Sequence, residues 1–175
     1  MRRIKELKGF ENYRIVKFRP SLLNLFGPYY PEKITMRRII RFLLALPHGY
    51  RIYSLISENT TIGYCTVQSG KSPRFEYTGK MDIVIGPYVI IPEYQGHGLA
   101  AKLIEIILKN EIIDFKYAYA YIKKDNIASI RTCEKIGFQY YGDAIVTAIK
   151  ADVKVSKNKK APYSIYRIKE SWLSE

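Results

Sequence analysis

The segment Pro92-Glu93-Tyr94-Gln95-Gly96-His97-Gly98-Leu99-Ala100 sets two closely spaced glycines at the start of an apolar helical run. Glycine lets a backbone approach a bulky group and adopt conformations that a β-carbon forbids. The N–H groups of the first helical turn have no partner within the helix, and the positive end of the helix dipole lies behind them. Such a turn suits a phosphate or pyrophosphate, although many Gly-x-Gly turns are plain connections. Two familiar phosphate loops do not fit. The dinucleotide fingerprint needs a third glycine, which Leu99 to Lys102 does not supply, and the Gly-Lys-Ser/Thr of a P-loop is absent.

The elements that must hold this turn follow from periodicity. Tyr13–Arg19 alternates as a strand ended by Pro20, and Ser21–Pro31 is irregular. Glu32–Leu46 carries Ile34, Ile39, Ile40, Leu43 and Leu44 as an amphipathic helix stopped by Pro47 and Gly49. Tyr50–Ser57 and Thr61–Gln68 form a hairpin, and Gly70–Gly79 with Pro73 is a surface loop. Asp82–Ile91 is a strand whose interior Gly86-Pro87 predicts a bulge or a splay. His97–Ile113 is a helix, Phe115–Ile122 a strand, and Asn126–Ile136 a helix closed by Gly137. Phe138–Ala148 and Tyr163–Lys169 complete the strands. The lysine-rich connector Lys150–Lys160 is a solvated loop or an anion-binding rim. The sum is a mixed α/β order in one domain over residues 1–175.

Composition narrows the class. Of 175 residues, 47% are hydrophobic and 26% charged, which excludes a disordered chain. The formal net charge of +13 points to an anionic partner: nucleic acid, a membrane surface or a phosphorylated ligand. Cys65 and Cys133 are too few and too far apart for a disulfide framework or a zinc site, so no metal is expected. Met1–Lys8 lacks the apolar stretch of a secretory signal, and Phe42–Pro47 is far short of a membrane span. A cytoplasmic protein with no membrane partner is expected. Nucleic acid is disfavoured, because no helix-turn-helix or RNA-binding signature is present and eleven basic residues lie dispersed over Met1–Arg41.

A second motif follows at Asn126-Ile127-Ala128-Ser129 and continues through Glu134-Lys135-Ile136-Gly137-Phe138. Together the two segments resemble the GNAT N-acetyltransferase superfamily, most strongly from about Met81 to Phe138. Gln95, Gly98 and Ala100 match its Gln/Arg-x-x-Gly-x-Gly/Ala pyrophosphate motif. The resemblance implies an α/β fold: a central mixed, mostly antiparallel twisted sheet of about seven strands flanked by helices. It also implies a splay between Asp82–Ile91 and Phe115–Ile122, fourth and fifth in the expected order. Acetyl-CoA is the implied co-substrate. Its pantetheine would pair with Tyr88, Val89 and Ile90, and its pyrophosphate would sit on Gly96, His97, Gly98, Leu99, Ala100 and Ala101. Asn126 and Ser129 would flank the arm. The bland role of Asn126, capping the next helix, carries equal weight.

The expected reaction is acetyl transfer to a primary amine, which needs orientation, a polarised carbonyl, a base and an acid. Many relatives place a tyrosine acid where this chain has Cys133, so Cys133 is either that acid or buried packing. Tyr141, with Tyr140, lies on the following strand and offers a phenol. Asp82 and Glu76 are the carboxylate candidates for the base, while His97 is better placed to meet phosphate or solvent. Phe26, Tyr29, Tyr30, Arg37, Arg38 and Arg41 give the acceptor side an aromatic, basic character. That character favours a small amine bearing anionic groups, such as a nucleotide-linked amino sugar or a phosphorylated metabolite, and should repel a polyamine. A protein or peptide amine, and a CoA-binding relative with little turnover, are the alternatives. A homodimer is compatible with the sequence.

Overall fold

The computed structural model describes residues 4–111, 115–147 and 151–170. The expected helix end at Ile113, strand end at Ala148 and connector start at Lys150 lie outside the described residues, as does Met1 at the amino end.

Among the described residues nine strands form one sheet, against the seven expected. They are β1 (Ile4–Phe10), β2 (Tyr13–Phe18), β3 (Arg51–Ser57), β4 (Thr60–Ser69), β5 (Asp82–Ile90), β6 (Tyr117–Lys123), β7 (Gln139–Val146), β8 (Val153–Ser156) and β9 (Tyr163–Lys169). Their spatial order is β1-β2-β3-β4-β5-β6-β9-β7-β8. Every neighbouring pair is antiparallel except β5 with β6. The two additional strands are the edges of the sheet. β1 is mostly exposed and paired on one side only, so its charged sequence carries no burial pattern, and Arg14 on β2 holds its Glu6 at 2.7 Å. β8 has four residues inside the lysine-rich connector, of which Val153 is fully buried.

Side-chain alternation sorts the layers. On β6, Ala118, Ala120 and Ile122 face the main core with α2 (Leu99–Glu111) and α3 (Ile127–Ile136). Tyr117, Tyr119 and Tyr121 face the opposite side, packing with Phe75, Val84 and Ile165. On that opposite side, α1 (Met36–Ala45) covers Phe18 and Ile52 through Phe42 and Ala45. Helix α1 begins four residues later than expected because Thr35 caps it, its side chain accepting from Arg38 N–H at 3.3 Å.

Strands β5 and β6 pair only through Asp82↔Tyr117, Ile83↔Ala118 and Val84↔Tyr119. Beyond Val84 they separate. A bulge at Gly86-Pro87, against Thr66 on β4, turns β5 away, so both the bulge and the splay read from Gly86-Pro87 are present. Asp82 pins the closed end: its carboxylate accepts Tyr117 N–H at 3.2 Å and Gly79 N–H at 2.6 Å.

Helix α2 is fixed at its far end by a buried ionic cluster. The fully buried Glu111 carboxylate accepts from Lys17 Nζ at 2.6 Å and from the Tyr53 hydroxyl, and Arg51 stands at 2.8 Å. Burial pulls the Lys17 ammonium below its ordinary range, and only its contact with Glu111 opposes this. Replacing Glu111 by Ala strands two buried cations. The Glu111→Ala protein should therefore lose about 3–5 kcal/mol of stability, read as a lower urea midpoint. An unchanged midpoint would show that the cluster does not anchor α2.

Candidate active site

The gap between β5 and α3 is a cleft of about 770 Å³ bounded by the start of α2. Its geometry follows from three local features. Gly96 and Gly98 have φ of +83° and +72°, which β-branched and most other L residues avoid. Open space lies where a Cβ would stand at either position, so backbone conformation rather than crowding selects glycine. The left-handed Gly98 also explains why the helix starts at Leu99 and not at His97.

The first bond of the α2 ladder runs from Lys102 N–H to Gly98 C=O at 3.2 Å. The N–H groups of Leu99, Ala100 and Ala101 therefore face the cleft mouth without intrahelical partners. Gln95 does not point into this mouth as a free amide. Its Nε2 donates to Ile90 C=O at 2.8 Å and ties the glycine turn to the end of β5.

Along β5, Ile91 N–H bonds Ile62 C=O on β4 at 2.9 Å. Antiparallel alternation then gives Val89 the same orientation, opposite Tyr64, and turns the backbone groups of Tyr88 and Ile90 away from β4 into the gap. With the Ile90 carbonyl taken by Gln95, the remaining free groups are the Tyr88 N–H and C=O and the Ile90 N–H. Val89 contributes only its side chain.

The opposite wall is α3. Asn126 caps it, with Oδ1 accepting Ser129 N–H at 3.1 Å, and its Nδ2 amide remains for another acceptor. Gly137, at φ +102°, closes the helix as expected. Ala128, Arg131, Thr132 and Lys135 line the cleft beside Ser129. Motif matching passes over Arg131 and takes Lys135 only as half of the Glu134-Lys135 pair, not as cations of the cleft. Helical spacing from Ala128 would have found them, since positions three, four and seven further on share its face.

Eleven of the twelve expected cofactor positions line this one cleft: Tyr88, Val89, Ile90, Gln95, Gly96, Gly98, Leu99, Ala100, Ala101, Asn126 and Ser129. His97 is exposed on the turn and does not line it. The three expected catalytic residues are not brought together. Asp82, expected as a base, is buried at the closed end of the splay with both oxygens bonded to backbone. Tyr141 lies on the face of the sheet away from α3. Its ring meets Tyr119 edge-on at 5.7 Å and the Arg167 guanidinium at 4.7 Å, whereas Tyr140 meets Tyr166 edge-on at 6.1 Å on the α3 side. Cys133 is 1% exposed and packs behind Tyr88 rather than on the cleft wall. The Tyr88 hydroxyl donates to Ser129 C=O at 2.9 Å, which leaves the Cys133 thiol as donor across the 3.8 Å to that hydroxyl. Burial pushes the Cys133 thiol up to about 11 and raises the Tyr88 phenol as well.

A sheet opened between parallel neighbours, with free strand amides on one wall and a bare helix N-terminus at its head, suits an extended amide-bearing arm that ends in a phosphate group. The Acetyltransferase (GNAT) domain family matches residues 14–139, and the chain belongs to this family. It is 28% identical over 110 residues to the spermine/spermidine N(1)-acetyltransferase of Bacillus subtilis (strain 168), spanning 61% of this chain and 71% of that one. Its fold is similar to that of a GNAT-family acetyltransferase from Bacillus anthracis, with TM-score 0.57 and 19% identity over 95% of this chain and 99% of the other. It is also similar to AAC(6')-Ib in complex with ribostamycin and coenzyme A, with TM-score 0.56 and 17% identity over 72% and 67%.

Cys133 is buried behind Tyr88 and does not line the cleft, so its thiol does not face the space a leaving group would occupy. Cys133→Ala should leave kcat within about threefold of wild type from pH 6 to 9, where loss of a working general acid costs ~10²–10⁴-fold. A hundredfold fall in kcat with unaltered folding would restore Cys133 as the acid.

Proposed function

We propose that the protein transfers an acetyl group from acetyl-CoA directly to the primary amine of a small molecule, an amino sugar or a phosphorylated metabolite. The observation that carries this reading is the set of unpartnered backbone groups at Tyr88, Ile90 and Leu99–Ala101 around one cleft. A pantetheine amide needs strand-like partners, which Tyr88 and Ile90 offer, and a pyrophosphate needs converging N–H groups, which the first turn of α2 offers. Arg131 and Lys135 add positive charge along the same cleft.

When bound, acetyl-CoA supplies a thioester carbonyl whose carbon the neutral amine attacks, the carbon–sulfur bond breaking and the thiolate taking a proton. The chain's contribution is alignment: β5 fixes the acyl end, and the free Tyr88 N–H polarises an oxygen beside it. Proton traffic runs through solvent at the mouth of the splay, since the buried Cys133 and Asp82 are both committed to protein partners.

The acceptor enters from the α1 side of the sheet. That side carries Arg38, Arg41, Arg74 and Arg167, and its Glu32 carboxylate is already held by the Tyr64 hydroxyl and Arg38. Arg41 keeps a buried Nε without a hydrogen-bond partner among the described residues. Anionic groups on the acceptor suit this surface. A polyamine does not, although the Bacillus subtilis relative is named for spermine and spermidine.

Calorimetric titration should give micromolar binding of acetyl-CoA. Gly98→Glu should abolish it, and Arg131→Glu/Lys135→Glu, which leaves the backbone unstrained, should weaken it about tenfold or more. Glucosamine 6-phosphate should then be acetylated with a higher kcat/KM than spermine. No binding by wild type would refute the acetyl-CoA assignment, and a preference for spermine would move the acceptor to polyamines.

A further inference from the structure

On the sheet face away from α2 and α3, one row of side chains crosses the point where β5 and β6 part. Gln68 on β4 stands opposite Val84 on β5, and Val84 opposite Tyr119 on β6, the last pair before the gap. Directly opposed residues share a face. Neighbouring strands lie ~4.8 Å apart, so the row is about 10 Å wide. The loop between β4 and β5 brings a cation to one end of this row and a phenol to the other. Arg74 donates from Nη1 to Gln68 Oε1 at 3.2 Å, and the Tyr77 ring meets Tyr119 edge-on at 5.3 Å.

Both side chains keep unused donors. Nε and Nη2 of Arg74 hold the Ala151 carbonyl at 3.2 and 2.9 Å, which fixes the plane of the guanidinium. With Nη1 on Gln68, three of its five N–H donors are taken and two stay free. Arg74 joins none of the ion pairs among the described residues. The Tyr77 hydroxyl is buried and has no hydrogen-bond partner among the described residues. Phenylalanine would fill the same place without stranding a hydroxyl away from water. Burial raises the Tyr77 phenol and Tyr121 beside it adds to the rise, so it stays a neutral donor, while Arg74 is near enough to oppose the shift.

We propose that Arg74 and Tyr77 hold a phosphate group of the acceptor at the closed end of the gap. The inference rests on the reading that an amine acceptor approaches from this side of the sheet. The free donors come from opposite ends of the row, which suits a tetrahedral oxyanion better than a planar carboxylate, and the guanidinium supplies the charge. The Tyr88 N–H, beside which the thioester lies, is four residues from Val84, at most ~13 Å along the strand. The acceptor is thus a compact phosphorylated amine, its phosphate at the closed end and its nitrogen turned toward the thioester. An unphosphorylated amino sugar leaves both Arg74 and Tyr77 unmet, and so does a polyamine.

Inorganic phosphate is the probe, because its binding needs no turnover. In protein saturated with CoA, whose own phosphates take the first turn of α2, millimolar phosphate should shift the Arg74 Nε–H and Tyr77 amide signals in nitrogen-15 spectra. Tyr77→Phe should weaken that binding at least ~10-fold, the loss expected for a hydrogen bond to a charged group. Its melting temperature should stay at or above that of wild type. A Tyr77→Phe protein that melts lower and binds phosphate as before would show a hydroxyl that only supports the fold, and would overturn the proposal. Acetate that binds these two residues more tightly than phosphate would overturn the phosphate assignment. Failure to bind CoA would refute the acetyl-CoA reading alone, since phosphate titrated into the free protein reads the same two signals. Signals of Arg74 and Tyr77 that stay unmoved by phosphate in both forms would sink the inference.

Discussion

The early end of the β5–β6 pairing is the constraint on which the site depends. Three residue pairs hold the strands together, and beyond Val84 each strand keeps a row of backbone groups that the other does not satisfy. Such an opening inside a sheet is costly unless something else meets those groups. On β5 the Gln95 amide meets one of them, the Ile90 carbonyl, and the rest stay available to a ligand. Asp82 keeps the opening from spreading in the other direction by bonding both the Tyr117 amide and the Gly79 turn. The same residue that seemed a candidate for chemistry is what sets where the gap begins.

The second requirement is that α2 present its first turn to that gap. The helix is seated along its length by Leu103, Ile104, Ile107 and Leu108, all essentially inaccessible. Its last residue is tied by Glu111 to Lys17 on β2 and Arg51 on β3. A buried ion cluster contributes less to net stability than hydrophobic residues of equal volume often would, but it tolerates only one placement of its partners. The anchoring end and the end that opens onto the cleft are thus opposite ends of one rigid rod.

Much of this was legible in the sequence because the signals are local. Gly96 and Gly98 are required by positive φ, Gly86-Pro87 breaks a strand, and Asn126 and Gly137 cap a helix, so each can be read from its neighbours alone. The edge strands were not legible: β1 buries almost nothing, and β8 hides four residues in a basic connector. Function-bearing side chains fared worse than backbone. Whether Asp82 faces a cleft or a turn, and whether Tyr141 shares a face with Cys133, depends on register and on the bulge that sets Tyr140 opposite Tyr166 and Gly142 opposite Ile165. Those are long-range facts with no trace in a residue's immediate neighbours. Arg131 and Lys135 form an intermediate case, visible once the cleft face of α3 is known.

The central claim is that free backbone amides of the gap bind the acyl donor, and amide hydrogen exchange followed by NMR with and without acetyl-CoA tests it residue by residue. The account predicts slowed exchange at Tyr88, Ile90, Leu99, Ala100 and Ala101, with Val89, already bonded to β4, unchanged. Saturating acetyl-CoA that leaves those five amides exchanging at their free rates, or protects only residues on the α1 face, would contradict it.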